Sequence, residues 1–249
     1  MDLKGAVAII TGGSGVLGGR ICHALADAGA SVAVVHHHSQ RVAVDVVRQL
    51  RENGVQAEAF QCDVTDPQQV ESLVDQTLER FGRTDILIND AAYNKWVPFS
   101  DLEQLTYELW NNIIDVNLTG PMLCIKAVAK EMKKRGGGRI VNISSVAGFG
   151  PTGSSIAYAV AKAGLNHLTK CMAVALAPDI LVNCVAPGFL EGTKMTKNLD
   201  PEYRARASKN SLLQRAADKD DVARQVVAFC STDSITGQTL VVDAGRVFH

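Results

Sequence analysis

Along the chain, short unbroken runs of apolar and β-branched residues alternate with longer stretches in which apolar positions recur every three or four residues. The runs are AVAII (6–10), SVAVV (31–35), AEAFQC (57–62), DILIN (85–89), RIVNIS (139–144), ILVNCV (180–185) and TLVVD (239–243). Their continuity predicts strands buried on both faces of a parallel sheet. The stretches between them, such as SQRVAVDVVRQLREN (39–53) and DPQQVESLVDQTLERFG (66–82), predict amphipathic helices. The second carries its own boundaries: Asp66 as N-cap, Pro67 at the first helical position and Gly82 at the close.

Repeated strand–helix units with short links predict a doubly wound α/β architecture: a seven-stranded parallel sheet with helices on both faces, in one domain spanning 1–249. The least regular part, about 188–212, follows a strand's carboxyl end and is expected to cover a site rather than to join two domains. Composition fits a globular protein: 249 residues, 47% hydrophobic, 20% charged, mean hydropathy +0.06. A net charge of −1 gives no electrostatic reason to expect nucleic acid or an anionic membrane as partner. The start has no leader pattern, and no run approaches the roughly 18 apolar residues a spanning helix needs. Six separated cysteines without a CxxC pair read as reduced core thiols, so the expectation is a cytoplasmic protein.

The first strand runs into TGGSGVLGGR, where Gly13, Gly15 and Gly18 satisfy G-x-G-x-x-G with a strand before and a helix after. Small residues let the backbone approach a pyrophosphate, and a helix N-terminus offers it free N–H groups and a positive dipole. The alternative is a plain tight turn. Further on, Tyr158 and Lys162 stand four apart in a helix-compatible run and so project from one face. A neighbouring ammonium lowers a phenol's pKa and makes it a usable general acid or base. Ser145, ending a predicted strand at the same sheet edge, could hold a developing oxyanion.

With these residues in view, the chain resembles the short-chain dehydrogenase/reductases of about this length, from GAVAIITGG nearly to the C-terminus, and in overall pattern their 3-oxoacyl carrier-protein reductase-like members. The resemblance implies a Rossmann-type domain and a catalytic tetrad of Asn117, Ser145, Tyr158 and Lys162. It makes Thr11 and Gly12 the opening of the nucleotide turn, Asp63 an adenine contact and Asn89 the residue that steadies the central strand. It gives Asn117 a bent helix and a proton-relay water. It places the cofactor along Gly12, Ser14, Gly15, Leu17, Gly18, His36, His37, Asp63, Val64, Asn89, Ala91, Tyr158, Lys162, Pro187, Gly188, Leu190 and Thr193. The chain departs from the family pattern at Val16, where a glycine is commoner, and at Asp90 and Ala92, where the usual run is Asn-Asn-Ala-Gly. An extra residue also separates Pro187-Gly188 from Thr193.

The run His36-His37-His38 then falls at the end of the second strand, where an NAD-preferring site usually carries Asp or Glu. No carboxylate occurs between Ala30 and Asp45, and His36, His37, Ser39 and Arg41 supply donors, which favours NADP(H) over NAD(H). A metal site is not expected, because adjacent strand residues point to opposite faces. The alternative is a solvated strand end. KEMKKRGGGR (130–139) reads as a solvated helix end. Tyr93, Trp96 and Phe99 are candidates for a substrate pocket or for ordinary core. The runs 117–134 and 157–176 are apolar on more than one face, and with the resemblance this implies a homotetramer. The expected function is hydride transfer between NADP(H) and a small-molecule carbonyl or secondary alcohol. The alternatives are an NAD-dependent secondary alcohol or diol dehydrogenase and, remotely, a non-catalytic nucleotide-binding regulator. The covering segment, with Phe189, Leu190, Met195, Lys194, Lys197, Arg204 and Arg206, does not choose a substrate.

Overall fold

A computed structural model describes residues 1–197 and 199–248. All seven predicted strands form: β1 (Val7–Thr11), β2 (Ser31–His36), β3 (Ala57–Gln61), β4 (Ile86–Asn89), β5 (Gly138–Ile143), β6 (Ile180–Pro187) and β7 (Thr239–Val242). They make one parallel sheet in the order β3-β2-β1-β4-β5-β6-β7. The order reverses between β1 and β4, and in an open parallel sheet that crevice is where ligands bind, beyond the strands' carboxyl ends. β1, β4 and β5 are buried along their whole length, which explains their unbroken apolar reading.

Helices cover both faces. On one side α1 (Val16–Asp27), α2 (Gln40–Glu52) and α9 (Lys219–Ser231) pack Ile21, Leu25 and Phe229 against Ala8, Ile10 and Ile88. On the other, α3 (Pro67–Phe81) and α5 (Gly120–Lys134) pack Leu73, Val128 and Met132 against Ile9, Leu87 and Ile140. The boundaries of α3 follow the sequence signals. The Asp66 side chain accepts from the backbone N–H of Gln68 and Gln69, Pro67 opens the helix, and Gly82 closes it at φ 75°. The basic end of α5 lies exposed at Lys133 and Lys134 before the glycines.

Two of the following three features differ from expectation; the other, a break in the helix around Asn117, agrees with the bent helix that the resemblance implies. The covering segment is not irregular: it contains α7 (Lys194–Lys197) and α8 (Pro201–Lys209), the latter capped by Asp200, whose side chain accepts from Tyr203 N; Asn198 lies outside the described residues. The helical path from α4 (Tyr107–Ile114) to α5 is interrupted by a π-helical turn at Asp115–Thr119. Finally, Cys171 is exposed, while the other five cysteines are buried. It lies on α6 (Ile156–Leu176), which also exposes Val160 and Val174. Among the described residues no helix is long and apolar enough to cross a membrane.

Candidate active site

A cavity of about 700 Å³ opens at the β1/β4 switch point. Gly12, Ser14, Gly15 and Leu17 wall it from the glycine turn, His36 and His37 from the end of β2, Asp63 and Val64 after β3, and Ala91 after β4. Ser145, Tyr158 and Lys162 form its centre, with Pro187, Gly188, Leu190 and Thr193 on the side after β6. Gly18, Asn89 and Asn117 do not line it directly; each acts on residues that do.

The turn after β1 is a close-packed backbone cradle. Gly12 has φ 69°, and a Cβ there would stand 2.9 Å from Ala91 N. A Cβ on Gly18 would fall 2.2 Å from the carbonyl oxygen of Gly12. The Thr11 hydroxyl accepts from the backbone N–H of Asp90 and Ala91 at 3.1 and 3.2 Å, tying the loop after β4 to the turn. Gly15 is the N-cap of α1, and no side chain occupies the first N–H groups of that helix. Backbone donors facing a cavity, with no side chain to fill it, fit the pyrophosphate of a dinucleotide.

The candidate catalytic side chains come from the loop after β5, from α6 and from the turn between α4 and α5. Ser155 caps α6 by accepting from Tyr158 N at 3.2 Å, so the helix begins just before Tyr158 and sets Lys162 one turn further along. Lys162 Nζ donates to Ile143 O at 2.8 Å and lies 5.7 Å from the centre of the Tyr158 ring. Burial pushes Tyr158 up to about 12, partly offset by a hydrogen bond with Ser145. Burial also pushes Lys162 down to about 8. The expectation that the ammonium lowers the phenol's pKa is therefore not met: desolvation dominates, and Lys162 is tied to a backbone carbonyl. A phenol held this way keeps its proton until a substrate oxygen develops charge.

Asn117 sits at the centre of the π-helical turn. Its Nδ2 donates to Ile113 O at 2.8 Å and to Tyr93 O at 2.7 Å, while its Oδ1 is buried without a partner. π-helical turns expose such groups, because one residue more per turn breaks the regular ladder. Asn89 Nδ2 donates to Asn142 Oδ1, and Asn142 Nδ2 donates to Thr169 Oγ1 on α6, so β4, β5 and the catalytic helix share one buried polar chain.

At the other end, His36 is 5% exposed, its Nδ1 has no partner, and burial lowers its pKa. His37 Nε2 lies 3.6 Å from Asp63 Oδ2, and the His37 ring stacks on His38. Burial works against the Asp63 charge, but hydrogen bonds from the Thr65 hydroxyl and N–H prevail and hold its pKa below the usual value. Ser39 lines the cavity, whereas Arg41 is exposed and does not. Thr193 is buried, with its hydroxyl 3.3 Å from Leu190 O and 3.0 Å from Thr196 Oγ1.

Of the aromatic candidates, Tyr93 lines the cavity, Trp96 packs on Tyr203 with ring centres 5.4 Å apart, and Phe99 does neither. Among the wall residues that carried no sequence signal are Asn94, Thr152, Tyr203 and Arg246. Asn94 Nδ2 donates to Met195 O at 3.1 Å and pins α7 to the loop after β4. Each reaches the site from a loop or a covering helix, where no periodicity marks it.

A dinucleotide cradle that meets a half-buried tyrosine and serine and a buried lysine defines a nicotinamide-dependent oxidoreductase. The family model for short chain dehydrogenases matches residues 6–204, and the chain belongs to this family; it is an NAD(P)-dependent oxidoreductase. It is 39% identical, over 250 residues, to a 3-oxoacyl-[acyl-carrier-protein] reductase of Synechocystis, covering 98% of each chain. A short-chain type dehydrogenase/reductase from Mycobacterium marinum superposes with a TM-score of 0.92 at 32% identity, covering 99% of this chain and 97% of that one. The NADPH-dependent 3-quinuclidinone reductase of Rhodotorula rubra superposes with a TM-score of 0.89 at 26% identity, covering 98% and 92%.

Proposed function

We propose that the protein transfers a hydride between NADP(H) and a carbonyl or secondary alcohol substrate, with Asn117, Ser145, Tyr158 and Lys162 as its catalytic residues. The observation that carries this is the Tyr158 phenol, half-buried in the wall of the dinucleotide cavity, where burial raises its pKa and a hydrogen bond with Ser145 lowers it. The bound dinucleotide supplies or accepts the hydride. Ser145 holds the substrate oxygen, and Tyr158 gives that oxygen a proton in the reductive direction or takes one in the oxidative direction. Lys162 steadies the phenolate that proton loss creates. The partnerless Asn117 Oδ1 accepts from a water through which Tyr158 regains its proton. The cofactor lies along the turn from Gly12 to Gly18, with its adenosine end at His36, His37 and Asp63 and its nicotinamide end at Gly188, Leu190 and Thr193.

NADP(H) is the preferred form, because imidazoles stand where a carboxylate would repel a 2′-phosphate, and the NADPH-dependent relative supports this. One observation favours the NAD(H) reading: the Asp63 carboxylate lies 3.6 Å from His37 and offsets its charge. The whole chain acts as one catalytic domain, with 188–212 as its cover. It works in the cytoplasm as a homotetramer, whose contacts include the α6 face that leaves Val160 44% and Val174 83% exposed.

Tyr158→Phe tests the reading. Turnover should fall more than about tenfold, which is about 1.4 kcal/mol of barrier, while dinucleotide affinity stays near wild type. Retention of more than about a tenth of turnover would remove Tyr158 from this role.

A further inference from the structure

Beyond Tyr158 the cavity is walled by 152–154, by 193–196 and by Tyr203 of α8. The charged residues on this part of the wall are Lys194 and Arg246, both cations. The wall's carboxylates stand elsewhere: Asp63 beside His37, and Asp90 against the glycine turn. Arg246 belongs to a C-terminal tail that is firmly built. Asp243 accepts from Gly245 N at 2.8 Å and from Val247 N at 2.6 Å. The carbonyls of Ala244 and Gly245 accept from Leu213 N and Leu212 N. Asp243 in turn lies so close to Gly188 that a Cβ on that glycine would meet its own Cβ at 2.6 Å.

This clamp holds the guanidinium half-buried over the Tyr203 ring, 5.7 Å from its centre, and among the described residues it forms no ion pair. The Tyr203 hydroxyl lies 3.4 Å from Thr152 Oγ1, and the adjacent Gly153 packs beside the Tyr158 ring. Arg246 is thus joined to the Tyr158 ring through Tyr203 and the 152–153 segment. A planar fork of five donors, partly dehydrated and with no carboxylate partner among the described residues, is matched by a carboxylate from outside. Met195, Leu199 and Tyr203 line the space between and suit a short carbon spacer.

We infer that the substrate is a ketone or secondary alcohol bearing a carboxylate, which Arg246 binds while the carbonyl oxygen meets Ser145 and Tyr158. This rests on the reading of the site as a carbonyl reductase or alcohol dehydrogenase. Arg246 is then a specificity-determining residue for the charged end, with Lys194 beside the same opening.

The test compares kcat/KM for 4-oxopentanoate, 5-oxohexanoate and 6-oxoheptanoate, each against its methyl ester, with saturating NADPH and NADH. At least one acid should exceed its ester by about tenfold or more, the scale of a charge-assisted hydrogen bond. Arg246→Gln should bring that ratio close to one, and Arg246→Lys should keep part of it, an outcome that a merely structural role for the guanidinium would not produce. 3-Oxobutanoyl-phosphopantetheine supplies a phosphate instead. Faster turnover of that thioester than of every acid, lost in Arg246→Gln, would overturn the carboxylate assignment. So would acids no better than their esters, or an acid preference that survives Arg246→Gln. A measurement without turnover stands beside these: calorimetric binding of the acids to Tyr158→Phe loaded with NADPH, where lack of affinity counts against the inference. Reduction of esters without acid preference sinks this inference alone, whereas failure to bind either dinucleotide sinks the underlying reading with it.

Discussion

The carboxylate of Asp90 lies against the helix-opening glycine: a Cβ added to Gly18 would stand 2.9 Å from Asp90 Oδ2. A negative charge there would face the same backbone donors that fit a pyrophosphate. The conflict is removed by burial, which pushes the Asp90 pKa up to about 8, against the opposing pull of Lys162. Below that pH the carboxyl is neutral; above it, an anion stands beside the cradle.

Dinucleotide affinity should therefore fall as pH rises from 7 to 9, for NADPH and NADH alike. Lys162 loses its charge over the same range, as burial sets its pKa to about 8, and this loss acts in the same direction. Asp90→Asn, measured by fluorescence titration, should reduce the fall by removing the first contribution. A profile unchanged by Asp90→Asn would assign the whole effect to Lys162.

Gly18→Ala should damage both fold and cofactor binding. The added methyl meets the Gly12 carbonyl at 2.2 Å, and backbone cannot rotate away as a side chain can. The expected cost is about 1–3 kcal/mol in denaturant unfolding, together with a marked loss of dinucleotide affinity. Wild-type values in both measurements would mean that the turn is more yielding than its packing indicates.

The buried chain from Asn89 through Asn142 to Thr169 gives a prediction about stability. Asn142→Leu is close in volume but leaves Asn89 Nδ2 buried without its acceptor at 2.8 Å. The cost should be about 1–3 kcal/mol by chemical denaturation. Because Thr169 lies on the helix that carries Tyr158 and Lys162, turnover should fall along with stability. A variant as stable as wild type would show that water replaces the lost partner.

How much of this was legible in the sequence depended on how locally each feature is encoded. The strands could be read because burial on both faces demands uninterrupted apolar residues, as in Ile86-Leu87-Ile88. The ends of α3 could be read because Asp66, Pro67 and Gly82 each satisfy a local backbone requirement. Asp200 and Pro201 repeat that signal before α8, yet α8 stayed hidden: Ala207 is its one buried residue among those described, so no apolar stripe supports the cap. Cys171 misled for the opposite reason. Helix α6 carries apolar residues on its exposed side as well, among them Val160 and Val174. Asp90 could be seen as a departure, but its effect depends on Gly18 and Lys162, which are distant in sequence. Arg246 owes its place to a turn clamped by Asp243, and nothing near it in the chain announces a site.

Cofactor choice turns on the end of β2, where three imidazoles replace the carboxylate of an NAD-preferring site. They do not act alike. His36 is buried and its pKa is lowered by burial, so it meets a ligand uncharged near neutrality, offering only its partnerless Nδ1. His37 and His38 are exposed, and His37 faces Asp63 at 3.6 Å. An imidazole that carries a proton attracts a 2′-phosphate; a neutral one leaves Asp63, whose pKa is held low, as the dominant charge. The preference for NADPH over NADH should therefore be about tenfold or more, about 1.4 kcal/mol of discrimination. Substituting His37→Gln should reduce this preference without changing NADH affinity. Equal binding of the two dinucleotides would mean that the histidines are a solvated strand end, that Asp63 governs the ribose subsite, and that the reaction to look for is oxidation of an alcohol with NAD.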